Sequence, residues 1–323
     1  LSIPPAKETQ TQEIKIKNER ILSILNCLSP FLHGKETAIE LSLVAFFSRG
    51  HLLIEDMPGL GKTTLAIGIA RALGLEFGRI QCTSDLLPSD ITGLSIYNKN
   101  KGEFEFHKGP IFSNIVLVDE INRATPKTQS ALLEAMGEKQ VTIEEQTYKL
   151  VKPFFVLATQ NPVEQYGTFP LPESQLDRFM LKIGIGYPPK EAELQILRGG
   201  SRREELYSIK PIMEKSETVE MQNQIKDNVF VSEKILGYIM SLVEQTRTHK
   251  YLYAGLSTRG ALAVTNTAKT HAYFCDRDFV IPEDIKALAP YTISHRVLFK
   301  EDIDSNTKKE IVKSIIEELP TPA

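Results

Sequence analysis

The sequence predicts an α/β protein: a parallel sheet flanked by helices, followed by a smaller all-helical domain. Three observations carry this. Short, nearly continuous apolar runs recur at His51–Ile54, Ile115–Val118, Phe154–Ala158 and Ile183–Tyr187, as suits strands buried on both faces of a parallel sheet. The stretch His51–Leu65, HLLIEDMPGLGKTTL, reads as strand, glycine loop and helix. Beyond Pro188-Pro189 the apolar spacing is helical almost throughout. The expected organisation is therefore a flexible arm over residues 1–17, an α/β domain over 18–188 and a helical domain over 189–323.

In chain order, Leu1–Gln12 reads as a loose arm. Glu13–Leu32 and Thr37–Phe47 show helical spacing, with His33, Gly34 and Lys35 between them. Those three residues either approach a nucleotide base or form a plain turn. In the glycine loop, Pro58, Gly59, Leu60, Gly61, Lys62, Thr63 and Thr64 form a phosphate cradle, with N–H groups of the loop and the helix start facing the anion. Lys62 is placed to reach the terminal phosphates, and the Thr63 hydroxyl to ligate Mg²⁺. The usual pattern opens with a glycine at the position held by Asp56. A carboxylate there would repel phosphate, so Glu55 and Asp56 are expected to point away.

Glu76–Gln81 is a candidate strand and Asp85–Gly93 a turn-rich segment. Leu94–Tyr97 and Glu103–His107 form a hairpin. Asn114–Glu120, NIVLVDE, ends in adjacent carboxylates at the carboxyl end of a strand, where ligands bind in open α/β sheets. Asp119 suits a contact to Mg²⁺, and Glu120 suits polarising a water for attack on a γ-phosphate. Thr125-Pro126 opens a helix that stops at Gly137, and Lys139–Leu150 is a second hairpin. After the Phe154–Ala158 strand, Asn161 is placed to hold a water or a phosphate. Arg178 offers a fork-shaped cation of the type that stabilises phosphoryl transfer. In the second domain, Lys190–Arg198, Ser232–Thr246, Thr258–Cys275, Pro282–Leu288 and Lys308–Glu318 are helical, and Arg259 projects from a first turn. Arg198–Asn228 is charged and less regular.

Composition narrows the classes. Lys and Arg total 38 against 41 Asp and Glu, a net charge of −3 with no basic stripe, so wholesale electrostatic binding to nucleic acid is not indicated. Cys27, Cys82 and Cys275 lack metal or disulfide spacing. No apolar run is long enough to span a bilayer, and the cytoplasm is the expected compartment.

The runs LLIEDMPGLGKT (Leu52–Thr63), DLLPSDITG, KGPIF, VDEINRATPKTQSALLEAMGEKQVTI (Val118–Ile143), ATQNPVEQYGTFPLPESQLDRF (Ala158–Phe179), LSTRGAL and RDFVIPEDIKALAP resemble the MoxR family of AAA+ ATPases. The resemblance covers nearly the whole chain from about Asn18, and the pair Glu55-Asp56 is ordinary within it. Thr258 and Asp276 stand where the family usually has proline and glycine; the first leaves Arg259 in place, and the second affects a loop. The resemblance implies a P-loop NTPase fold with a helical lid, ATP and Mg²⁺ as ligands, and a homo-oligomeric ring, often a hexamer. It assigns Lys62 and Thr63 to the phosphate loop, Asp119 and Glu120 to metal and catalysis, Asn161 to the first sensor and Arg259 to the second. Arg178 matches a finger acting on the neighbour's nucleotide, with Arg123 a second candidate. It further implies chaperone-like remodelling or maturation of protein clients, including metal-cofactor insertion, beside a partner with a von Willebrand factor A domain. Two other classes share this core: a nucleic-acid motor, and a nucleotide switch that does not hydrolyse.

Overall fold

The computed structural model describes residues 16–143, 146–163, 167–200 and 202–322. The expected N-terminal arm lies mostly outside the described residues. The chain divides into two compact units. One spans Ser23–Met221; the other runs from Gln222 and takes in the described residues up to Leu22.

The first unit is built on a five-stranded sheet. Helices α1 (Glu19–Leu28) and α2 (Glu36–Phe47) precede β1 (Leu52–Glu55). α2 is apolar on nearly every side, and nine of its twelve residues are buried, as expected of a helix enclosed in the core. α3 (Lys62–Ala72) follows the glycine loop, then β2 (Phe77–Gln81). The expected turn after β2 contains a short helix, α4 (Pro88–Thr92), with Pro88 at its first position. The first hairpin is β3 (Gly93–Asn98) paired with β4 (Glu103–Lys108). β5 (Ile115–Asp119) is buried at every position. α5 (Pro126–Glu138) starts at the N-cap Thr125, whose hydroxyl accepts from the Thr128 N–H. The second hairpin pairs β6 (Gln140–Ile143) with β7 (Gln146–Lys149). β8 (Phe155–Gln160), α6 (Glu173–Leu176), β9 (Leu181–Ile183) and α7 (Lys190–Gly199) follow.

Sheet order is β2-β5-β8-β1-β9, and every pairing is parallel. The glycine loop leaves β1, the carboxylates end β5, and Thr159 to Asn161 end β8. Parallel pairing brings these tips to one edge, where open α/β sheets bind ligands. Below that edge, Val116, Val118, Val156, Ala158 and Phe179 are buried together. His51 ties the sheet base together. Its Nδ1 accepts the Val156 N–H at 3.0 Å and its Nε2 lies 3.2 Å from the Met136 carbonyl. Burial pushes its pKa down to about 4.

The irregular region resolves into a 3₁₀ turn, Arg203–Ser208, and α8 (Lys215–Asn228). The second unit contains α9 (Glu233–Thr248), β10 (Leu252–Ala254), α10 (Thr258–Phe274), α11 (Pro282–Ile293), β11 (Leu298–Phe299) and α12 (Ser305–Glu317). It is helical apart from the small antiparallel β10–β11 pair. Leu242, Val264, Ala268, Ile285, Ile293 and Ile315 form its core. The amides of Lys17 and Asn18 both donate to the Phe274 carbonyl. Among the described residues, no helix is long and apolar enough to cross a membrane.

Candidate active site

The loop between β1 and α3 turns at Gly59 and Gly61, with φ of 85° and 92°, a region that side chains disfavour. A Cβ on Gly59 would touch nothing within 4 Å, so backbone conformation alone requires glycine there. Gly61 forms the N-cap of α3, which leaves the first helical N–H groups to face a ligand with the positive end of the helix dipole. Lys62 folds back in this structure and donates to the Asp56 carbonyl at 2.5 Å. Burial lowers its pKa, while Asp56, Asp119 and Glu120 oppose that shift.

Asp56 and Glu55 point away from the loop's concave side, as expected. Asp56 accepts N–H bonds from Met57 at 2.8 Å, Ile185 at 2.7 Å and Gly186 at 2.5 Å. Glu55 pairs with Lys182 at 2.8 Å and accepts from the Gln160 amide at 2.6 Å. The residue replacing the pattern's first glycine thus fastens the loop to the segment after β9.

A cavity of about 320 Å³ gathers the sheet tips. Its walls include Lys62, Thr63, Asp119, Glu120 and Asn161, with Pro58, Gly59, Gly61 and Thr64 around them. Three further wall residues escaped the sequence reading: Arg79, Gln81 and Thr159. Arg79 Nε donates to Asp119 Oδ2 at 2.8 Å, and the Gln81 amide donates to Glu120 Oε2 at 3.2 Å. The Thr159 hydroxyl accepts the Glu120 N–H at 2.9 Å and donates to Asp119 Oδ1 at 3.4 Å. Glu120 has φ of 57°, uncommon outside glycine, and the Thr159 bond fixes that backbone. Arg123 Nε lies 3.2 Å from Glu120 Oε2. Asn161 Oδ1 accepts the Val163 N–H at 3.2 Å. Cys82, next to the carboxylates, is buried, and its thiol pKa is pushed up to about 12 by that burial and by Asp119 and Glu120. Thr63 and Asp119 offer a hydroxyl and a carboxylate oxygen on one cavity, a donor set that fits a hard divalent cation such as Mg²⁺.

Leu60 lines a second cavity of about 690 Å³, together with Phe31, His33, Lys35, Tyr187 and Ile196. Lys35 donates to the Ile185 carbonyl at 3.2 Å and to that of Gly186, so its amine is committed to the backbone. Gly34 has φ of 68°, and a Cβ there would strike the Pro189 ring. Arg178 is not a wall residue of either cavity. Its Nη1 donates to the Leu133 carbonyl at 2.5 Å and lies 2.9 Å from where a Cβ on Gly137 would be. Arg259 belongs to the other compact unit, exposed in the first turn of α10, where Ser257 caps the helix by accepting the Gly260 N–H.

A Gly-Lys-Thr loop and a strand-end carboxylate pair on one cavity of a parallel sheet define a P-loop nucleotide hydrolase. Comparison with known proteins agrees. A family model for the ATPase family associated with various cellular activities (AAA) matches residues 51–181, and an AAA lid domain model matches residues 244–315. Protein YeaC of Bacillus subtilis is 45% identical, over 90% of this chain and 91% of its own length. Chaperone MoxR1 of Mycobacterium tuberculosis is 36% identical, over 90% of this chain and 79% of its own. A crystal structure from Cytophaga hutchinsonii, assigned as an ATPase, superimposes with a TM-score of 0.85 at 42% identity, covering 94% of this chain and 95% of that one. The chain belongs to the MoxR family of AAA+ ATPases and hydrolyses ATP.

Proposed function

We propose that this protein is one subunit of a homo-oligomeric ring, a hexamer by family resemblance, that spends ATP to remodel or mature protein complexes. The observation that carries the reading is the single cavity where Lys62, Thr63, Asp119, Glu120 and Asn161 meet. The phosphates of ATP lie along Gly59–Thr64 with Lys62 on the terminal groups, and the base enters the adjoining cavity lined by His33 and Tyr187. Thr63 and Asp119 would hold Mg²⁺, which when bound neutralises charge on the phosphates. Glu120 accepts a proton from the attacking water, and Asn161 orients that water or the γ-phosphate.

Arg178 acts on the neighbour's nucleotide. Its bond to a backbone carbonyl, apart from its own chain's cavity walls, supports action in trans. Arg123 pairs with Glu120 of its own chain, which makes it the second candidate. Arg259 serves as second sensor from the helical unit that begins at Gln222 rather than at the expected residue 189. The chaperone role draws support from MoxR1, a relative named a chaperone. A partner with a von Willebrand factor A domain, metal-cofactor insertion and a cytoplasmic location complete the proposal by family resemblance.

Mixing subunits tests it. Arg178→Ala and Lys62→Ala are each expected to be inactive, since loss of an arginine finger costs about three to five orders of magnitude in rate. Mixed, they are expected to regain part of the activity at shared interfaces. No recovery at any ratio would place Arg178 in cis or outside the mechanism.

A further inference from the structure

Both carboxylate oxygens of Asp119 have partners within the chain. Arg79 grips one oxygen with Nε and Nη2, both at 2.8 Å, and Thr159 reaches the other. The grip comes from the register of the sheet edge: on β2, Arg79 lies opposite Leu117 and Gln81 opposite Asp119. Residues two apart on a strand share a face, so both side chains line the same cavity as Lys62 and Thr63. Arg79 Nη2 also donates to Gln81 Oε1 at 3.1 Å, and the Gln81 amide continues to Glu120. One arginine thus holds both carboxylates, one directly and one through an amide. The Asp119 side chain is 12% exposed, whereas that of Arg79 is 47% exposed, so the acid is fixed and the arginine has room to leave.

A guanidinium held on one oxygen of Asp119 opposes a divalent cation at either oxygen, because two cations a few ångströms apart repel. We propose that Arg79 is a positioning residue that holds the place of the metal. It neutralises and orients Asp119 while the site lacks Mg²⁺, and Mg²⁺ arriving with ATP displaces it. The inference rests on the reading of Asp119 as a metal ligand. Two consequences of opposite sign follow for Arg79→Gln. Without Arg79, Asp119 faces the incoming phosphates without its cation while Glu120 keeps Arg123, so metal-free nucleotide binds more weakly. With the competing cation gone, Mg²⁺ enters the nucleotide-bound site more readily.

The test is fluorescence titration of the full chain with an N-methylanthraniloyl ATP, first in EDTA and then, at saturating nucleotide, with Mg²⁺. For Arg79→Gln the nucleotide dissociation constant in EDTA is expected to rise about two- to fivefold, and the half-saturating Mg²⁺ concentration to fall by a similar factor. Arg79→Lys, which keeps the charge, is expected to stay closer to the parent in both. If Arg79→Gln weakens both steps, or leaves Mg²⁺ saturation unchanged, the placeholder role is overturned. Asp119→Asn separates the two ideas. If it weakens Mg²⁺ while Arg79→Gln does nothing, only the placeholder fails. If Asp119→Asn leaves Mg²⁺ saturation untouched, the metal-ligand reading and the placeholder fall together.

Discussion

Restoring the usual glycine at position 56 is expected to damage the protein rather than improve it. The Asp56 carboxylate receives three N–H groups, from Met57, Ile185 and Gly186. Hydrogen bonds to a charged group contribute about 1.5–3 kcal/mol each. The Met57 bond is local and forms partly in the unfolded chain, and Gly186 is exposed, so water replaces much of that bond. Counting the Ile185 bond in full and the Gly186 bond in part leaves about 2–3 kcal/mol. The added freedom of glycine in the unfolded chain contributes a further 0.4–1 kcal/mol or so. Asp56→Gly should therefore cost about 3 kcal/mol, and Asp56→Asn, which keeps one acceptor oxygen, about half. Urea unfolding read by circular dichroism should show the first transition about 1 M earlier for Asp56→Gly, with its slope unchanged. ATP affinity should fall as the loop loses its anchor. An unchanged midpoint, or tighter ATP binding, would refute the anchoring role.

Two further outcomes test separate parts of the site and sheet. Glu120→Gln should bind ATP normally and turn it over about two to four orders of magnitude more slowly; near-normal phosphate release would remove Glu120 as the base. His51 should impose an acid limb on stability. Its folded pKa is depressed to about 4 from 6.5, so between those values the unfolded chain takes up a proton that the folded chain refuses. Stability should fall by about 1.4 kcal/mol per unit as pH drops from 6.5 towards 4, with no contribution above 6.5. Urea midpoints at pH 7.5, 5.5 and 4.5 should show this slope and lose it in His51→Gln; an equal slope in both proteins would assign it to other groups.

Much of this architecture was legible because the strands of a doubly covered sheet are apolar on both faces. Ile115–Val118 and Phe154–Ala158 needed no periodicity to be read, and the polar tip of each, Asp119-Glu120 and Thr159-Gln160-Asn161, marked the ligand edge. What stayed hidden depended on pairing or on packing. Glu76–Gln81 reads as a strand, but only its position beside β5 puts Arg79 and Gln81 onto the carboxylates; alternation along FGRIQ marks a shared face without naming the neighbour. Helix α8 lies in a charged stretch with weak apolar contrast. The helix expected over Pro282–Leu288 continues through Pro290 to Ile293. A proline there removes one backbone donor, and burial of Ile293 and Thr292 offsets that loss. The β10–β11 pair is too short to show alternation.

The proposed function stands or falls with a composite site completed by a neighbouring subunit. Light scattering of the full chain with and without ATP and Mg²⁺, paired with phosphate release across a concentration series, tests it most directly. Activity per subunit is expected to climb as a ring-sized species appears, and Arg178→Ala to abolish that climb while the ring persists. A monomer hydrolysing ATP at constant specific activity would contradict it.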